Sequence, residues 1–164
     1  MHRIISILAG AVLLSGCPLD KTNPGTPLAT TRITPEAPAT SATTGLHDPV
    51  RSAVFDAKTF SELWTRAYSG RAPNDAMPAV DFTTEFVVFT ALGEHATGGY
   101  SIAVGQATAR GSHVDVKVVT TTPGKGCMVS AMMTQPLDVV RIARPRAGEL
   151  DVSFKDELQV HDCQ

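Results

Sequence analysis

Glu85-Phe86-Val87-Val88-Phe89-Thr90-Ala91-Leu92-Gly93-Glu94-His95-Ala96-Thr97-Gly98-Gly99-Tyr100-Ser101-Ile102-Ala103-Val104 is the stretch from which the folding pattern of this chain can be read. Its first seven residues are nearly all apolar and rich in β-branched and aromatic side chains. A run that short, with no polar alternation, reads as a strand buried on both faces. After the loop, Tyr100, Ile102 and Val104 alternate with small or polar neighbours, the period of a strand with one buried face. Thr97-Gly98-Gly99 makes the turn between them. Paired glycines permit positive φ and a close backbone approach that a Cβ would resist.

Working outward, the same logic places the other elements. Val50 to Phe55 reads as a first strand. Asp56 is a good N-cap, and Phe60, Leu63, Trp64 and Ala67 follow at helical spacing, so one short amphipathic helix is expected over Ala57 to Tyr68. Ser69 to Pro78 is a loop. Val114, Val116 and Val118 alternate with His113, Asp115 and Lys117 after the tight turn Arg110-Gly111-Ser112, which predicts a hairpin with one solvated face. Thr122-Pro123-Gly124-Lys125-Gly126 breaks the chain, and Cys127-Met128-Val129 is a short strand or an irregular crossing. Leu137 to Ala143 and the alternation Leu150, Val152, Phe154 close the list. About six or seven strands with regular turns and one helix predict a mainly β, α+β domain, an antiparallel sandwich or partly open barrel.

A different pattern governs the N-terminus. Met1-His2-Arg3 is weakly basic, and an apolar run follows from Ile4 to Leu14. As a helix it would span about 16 Å, roughly half a bilayer core, which is too short to cross a membrane and fits a signal peptide. Leu14-Ser15-Gly16-Cys17 resembles the bacterial lipobox. It implies a signal peptide over residues 1–16, cleavage before Cys17, and lipid on that cysteine. Two or more acyl chains give stable attachment. The expected location is the cell envelope, anchored to the inner or outer membrane, with the domain periplasmic or extracellular. Residues 17–45 are rich in Thr, Pro, Ala and Gly with no apolar period, and are expected to form a disordered tether reaching on the order of 30 Å. The folded domain is expected over residues 46–164. A net charge of −2 supplies no field for nucleic acid, and aromatics at 5% leave little for base stacking.

The run Leu92-Gly93-Glu94-His95-Ala96-Thr97-Gly98-Gly99-Tyr100 resembles the signature of the domain found at the C-terminus of PrcB, a subunit of a bacterial surface protease complex. Members of that family carry an apolar strand, a Gly, a few variable residues, Thr-Gly-Gly-Tyr and an alternating strand. The Pro123-Gly124 loop and the segment Thr134-Gln135-Pro136 leading into Leu137–Ile142 match in the same order. The resemblance implies a non-catalytic module that associates with, or stabilises, a secreted or envelope protease. Glu94, His95, Thr97, Gly98, Gly99, Tyr100, Pro123 and Gly124 are the expected partner-binding residues, because glycine backbone can be approached closely and Tyr100 offers contact area at low entropic cost. A looser similarity to chagasin-type protease inhibitors suggests the alternative of direct inhibition through the same loop. There Ala96 stands in place of a proline and Gly98 in place of a threonine.

Catalytic chemistry finds few candidates. With Cys17 lipidated, Cys127 and Cys163 remain. In an oxidising compartment they read as a disulfide contributing about 3–4 kcal/mol. The competing reading makes Cys127 a nucleophile served by His95 or His113, and a third has Cys163 bridging to a partner chain. The histidines do not cluster at metal-ligand spacing, and no phosphate-binding or nucleophile-elbow motif occurs, so no metal, cofactor or small-molecule substrate is implied.

Overall fold

Glu85–Ala91 is an inner strand of a four-stranded sheet and is buried on both faces, as its composition requires. The structure, a computed structural model, describes residues 24–34, 44–68 and 76–163. The expected signal peptide and Cys17 lie outside them. In chain order the described elements are β1 (Thr26–Leu28), β2 (Thr30–Arg32), β3 (Val50–Val54), α1 (Ala57–Tyr68), β4 (Glu85–Ala91), β5 (Ser101–Arg110), β6 (His113–Pro123), β7 (Leu137–Ala143) and β8 (Asp151–His161). They form two sheets, ordered β1-β5-β6-β8 and β2-β7-β4-β3. The sheets pack face to face as a β-sandwich, and α1 covers the outer face of the second.

This three-layer arrangement explains the unbroken apolar run of β4. Phe86 and Val88 point to the other sheet and meet Ile102, Val114, Val116 and Ile142. Val87, Phe89 and Ala91 point the opposite way, to Phe60, Trp64 and Ala67 of α1. The aromatic rings of Phe60 and Trp64 meet edge to face at 5.6 Å between centroids. Each such side chain, fully buried, contributes roughly 1.5–3 kcal/mol. The helix has the expected limits, and its N-cap is Asp56, whose carboxylate accepts the Thr59 N–H at 2.8 Å. The β5–β6 hairpin forms about Gly111, with Arg110 opposite His113 and a bulge between Val104 and Ala107.

Two expectations are corrected. The first is the tether. Residues 26–32 are not a free spacer but two short strands, one added to each sheet. β1 pairs with β5, β2 pairs with β7, and the chain steps between sheets at Ala29. The strands carry exposed Thr and Pro and have no apolar alternation, so nothing local marks them. Their position is set by the free backbone edges of β5 and β7 and by Arg32. That guanidinium makes two bonds to Asp138, from Nε at 2.7 Å and Nη2 at 2.8 Å, and the carboxylate is fully buried between the sheets. Thr34 Oγ1 and the Val104 N–H also donate to it, at 2.9 and 2.7 Å. The carboxylate raises the pKa of Arg32 still further above its usual value, chiefly through its own hydrogen bonding with the guanidinium. The domain thus begins before residue 46.

The second correction concerns strand direction. Among the described residues six strand pairs form, and β6–β8 is parallel while the others are antiparallel. Parallel neighbours need a crossover. Here β7, lying in the opposite sheet, is that crossover, which brings the chain back to β8 beside β6.

At the turn end of β6 a histidine bridges two carboxylates. His113 Nδ1 lies 2.8 Å from Asp151 Oδ2, and its Nε2 lies 3.3 Å from Asp115 Oδ1. Arg110 and Lys155 also pair with Asp115. The Asp151 contact raises the pKa of His113 above its ordinary value, outweighing desolvation. A histidine with a raised folded-state pKa stabilises the fold below about pH 6.5, and that contribution is lost as pH rises through the folded value. Proton NMR titration of His113 is therefore expected to give a midpoint above 6.5, moved down by Asp151→Asn.

Candidate functional site

The C-terminal ends of β4, β6 and β8 and the N-terminal ends of β5 and β7 all reach one end of the sandwich. The glycine loop after β4 is built there, and each of its special residues has a local cause. Gly93 has φ +79°, and a Cβ on it would lie 2.7 Å from the His47 carbonyl oxygen. Gly98 is buried: its N–H donates to the Ser130 carbonyl at 2.9 Å, and a Cβ would stand 2.5 Å from Ser130 Oγ. Gly99 has φ +88°, with Val129 and Pro123 at 2.8 and 3.1 Å from where its Cβ would be. His95 and Thr134 exchange two backbone hydrogen bonds, at 2.8 and 2.9 Å. Thr134 Oγ1 donates to the Thr97 carbonyl at 2.9 Å.

All eight expected partner-binding residues therefore come to this one end, and the two loops that carry them touch where Gly99 meets Pro123. Gly124 continues the junction: its N–H donates to the His161 carbonyl at 2.9 Å. The side chains are tied as follows. The His95 and Tyr100 rings stack at 4.1 Å between centroids with 16° between planes. Glu94 is exposed, and its carboxylate accepts from His47 Nδ1 at 2.8 Å and Gln135 Nε2 at 3.1 Å. Those bonds, His47 first, hold the carboxyl below its usual range. Gln135 is itself buried and accepts the Thr44 N–H at 2.6 Å.

The close approaches that need glycine at 98 and 99 are thus made to the chain's own Ser130, Val129 and Pro123. The loop keeps Glu94, Ala96 and Gly99 exposed, and the segment packed against it adds further exposed surface. Residues 127–133 form an irregular crossing, held by the Ser130 and Thr134 bonds and by a disulfide from Cys127 to Cys163, with Cα atoms 5.1 Å apart. Met128, Met132 and Met133 are 101%, 68% and 52% exposed. Three large apolar side chains this exposed within six residues are unusual for a surface without a partner. Methionine is flexible and polarizable, which suits it to adaptable protein contacts. The sequence signal was present in Met128-Val129-Ser130-Ala131-Met132-Met133: it has neither a strand nor a helix period through which all three could face a core.

The disulfide leaves Cys127 without a free thiol, so it is not a nucleophile for His95 or His113, nor is Cys163 available to bridge to another chain. Among the described residues no group of three or more His, Cys, Asp or Glu is placed to hold a metal ion.

Residues 86–143 match the family model described as PrcB C-terminal. The match runs from the second residue of β4 to the end of β7 and takes in the glycine loop, the Pro123-Gly124 junction and the methionine segment. No curated protein and no solved structure matches the chain. The looser similarity to chagasin-type inhibitors finds no support.

Proposed function

We propose, from the PrcB C-terminal domain that this chain carries over residues 86–143, that it is a non-catalytic subunit binding a secreted or envelope protease. Contact is made through the loop end of the sandwich, and the lipid expected on Cys17 holds the domain at the membrane. The observation that carries the reading is the exposed methionine face inside the matched segment. It is covalently and hydrogen-bond anchored at its base, so docking does not have to order the backbone, which lowers the entropic cost of association. Glu94, exposed at the same end, is held in place by His47 and Gln135.

The test replaces the surface and spares the scaffold. Full-length chain is recovered from envelope extracts as wild type and as Met128→Glu/Met132→Glu/Met133→Glu, and the co-purifying protease is assayed. Recovery is expected to fall at least tenfold, on the order of one lost hot-spot contact of 2 kcal/mol or more, with the circular dichroism spectrum unchanged. Equal recovery of protease by both would remove the methionine face from the proposal.

A further inference from the structure

We propose that two copies of this chain associate edge to edge through β8, antiparallel, with Asp156 on the two-fold axis. β8 is the last strand of its sheet, and β6 is its one neighbour among the described residues. Along its eleven residues, alternate backbone N–H and C=O groups thus face outward on its free side. From Lys155 to His161 every residue is exposed, including Leu158 at 67% and Val160 at 57%. A long, exposed edge with apolar side chains is a template for another strand.

The sequence of β8 names the occupant, because it is complementary to itself. Val152 and Phe154 pack against the core, so even-numbered residues share the inner face. A two-fold axis perpendicular to the sheet keeps inner faces together only in registers that place a residue on the axis. With Asp156 there, Val152 lies across from the partner's Val160, and Phe154 across from the partner's Leu158. Lys155 faces the partner's Glu157, and Asp151 faces the partner's His161. The two exposed apolar side chains thereby meet the two half-buried ones. Glu157 also sits between two cations, since Lys117 of its own chain lies 2.6 Å from it. The neighbouring registers lose this. With Lys155 on the axis, Lys155 faces itself and Phe154 faces the partner's Asp156. With Glu157 there, Glu157 faces itself and Leu158 faces the partner's Asp156. In the favoured register the one like-charged contact is Asp156 with itself, and Arg51 of each chain offsets it at 3.2 Å.

The inference is independent of the protease reading, because it rests on the strand edge and not on the methionine segment. The alternative is that Lys155, Asp156 and Glu157 are there to keep the edge unpaired. Full-length chain bearing Asp156→Cys is oxidised gently and run without reductant, beside Gln159→Cys. A linked dimer is expected for the first, whose Cβ atoms meet at the axis about 5 Å apart, and not for the second. Sedimentation then follows charge: Lys155→Glu is expected to weaken self-association about tenfold, since it spoils two symmetry-related cross-strand pairs. Lys155→Glu/Glu157→Lys should restore it to within about threefold. Absence of the linked dimer, equal linking at both positions, or a charge swap that fails to restore association would overturn the proposal.

Discussion

Arg32→Ala is expected to lower the unfolding free energy by about 3 kcal/mol at neutral pH, measured by urea denaturation. The reason is the asymmetry of the pair. Asp138 is fully buried between the sheets, whereas the Arg32 side chain is 37% exposed. Removing the cation leaves a carboxylate with hydrogen bonds from Thr34 and Val104 but no counter-charge. Losses of 3–5 kcal/mol are usual when one partner of a buried pair is deleted, and the partial exposure of Arg32 places this case at the lower end. Arg32→Lys should recover only part of the loss, since an ammonium cannot make both bonds of the guanidinium fork. Asp138→Asn should cost less than Arg32→Ala: the amide oxygen still accepts the Val104 N–H, and the stranded arginine can turn to water. If Arg32→Ala left the midpoint unchanged, β1 and β2 would have no part in holding the sandwich closed.

Opening the Cys127–Cys163 bond, by Cys127→Ser/Cys163→Ser or by reductant, is expected to cost about 3–4 kcal/mol, again read from urea denaturation. The two cysteines are 36 residues apart in sequence, and closing a loop of that size removes about this much entropy from the unfolded chain. There is a local effect as well. The bond is one of the ties on the methionine segment, along with the Gly98–Ser130 and His95–Thr134 backbone hydrogen bonds among others. Without it, hydrogen exchange of the Gly98 and Thr134 amides should speed up by more than the global loss explains, because those two bonds then open locally. Protease recovery should fall with it, since the docking face would have to be ordered on binding.

The features that could be read from residues alone have short-range causes. Asp56 caps α1 with a bond three residues away, and the spacing of Phe60, Trp64 and Ala67 requires only the pitch of a helix. β4 announced itself because both of its faces are covered, so no polar alternation survives along it. The β5–β6 hairpin needed only alternating valines and a glycine turn. The resemblance carried by Leu92–Tyr100 falls inside the stretch that the family model matches.

Other features were illegible for an equally physical reason. Thr26–Leu28 and Thr30–Arg32 hold their places by backbone pairing and one ion pair to a residue more than a hundred positions away. Backbone hydrogen bonds carry no side-chain pattern, so their composition resembles that of a spacer. Glycines 98 and 99 could be seen to allow a close approach, but not to what. The approaching atoms come from Ser130, Val129 and Pro123, elements that only the folded chain brings alongside. Sequence by itself determined the mainly β class and the helix, because local periodicity suffices for these, whereas the structure chose the sandwich over the open barrel and the Cys127–Cys163 pair over its rivals. The tertiary structure alone decided that Gly98 is buried against Ser130 while Gly99 and the methionines meet solvent, since which side of a loop is exposed depends on what packs against the other side.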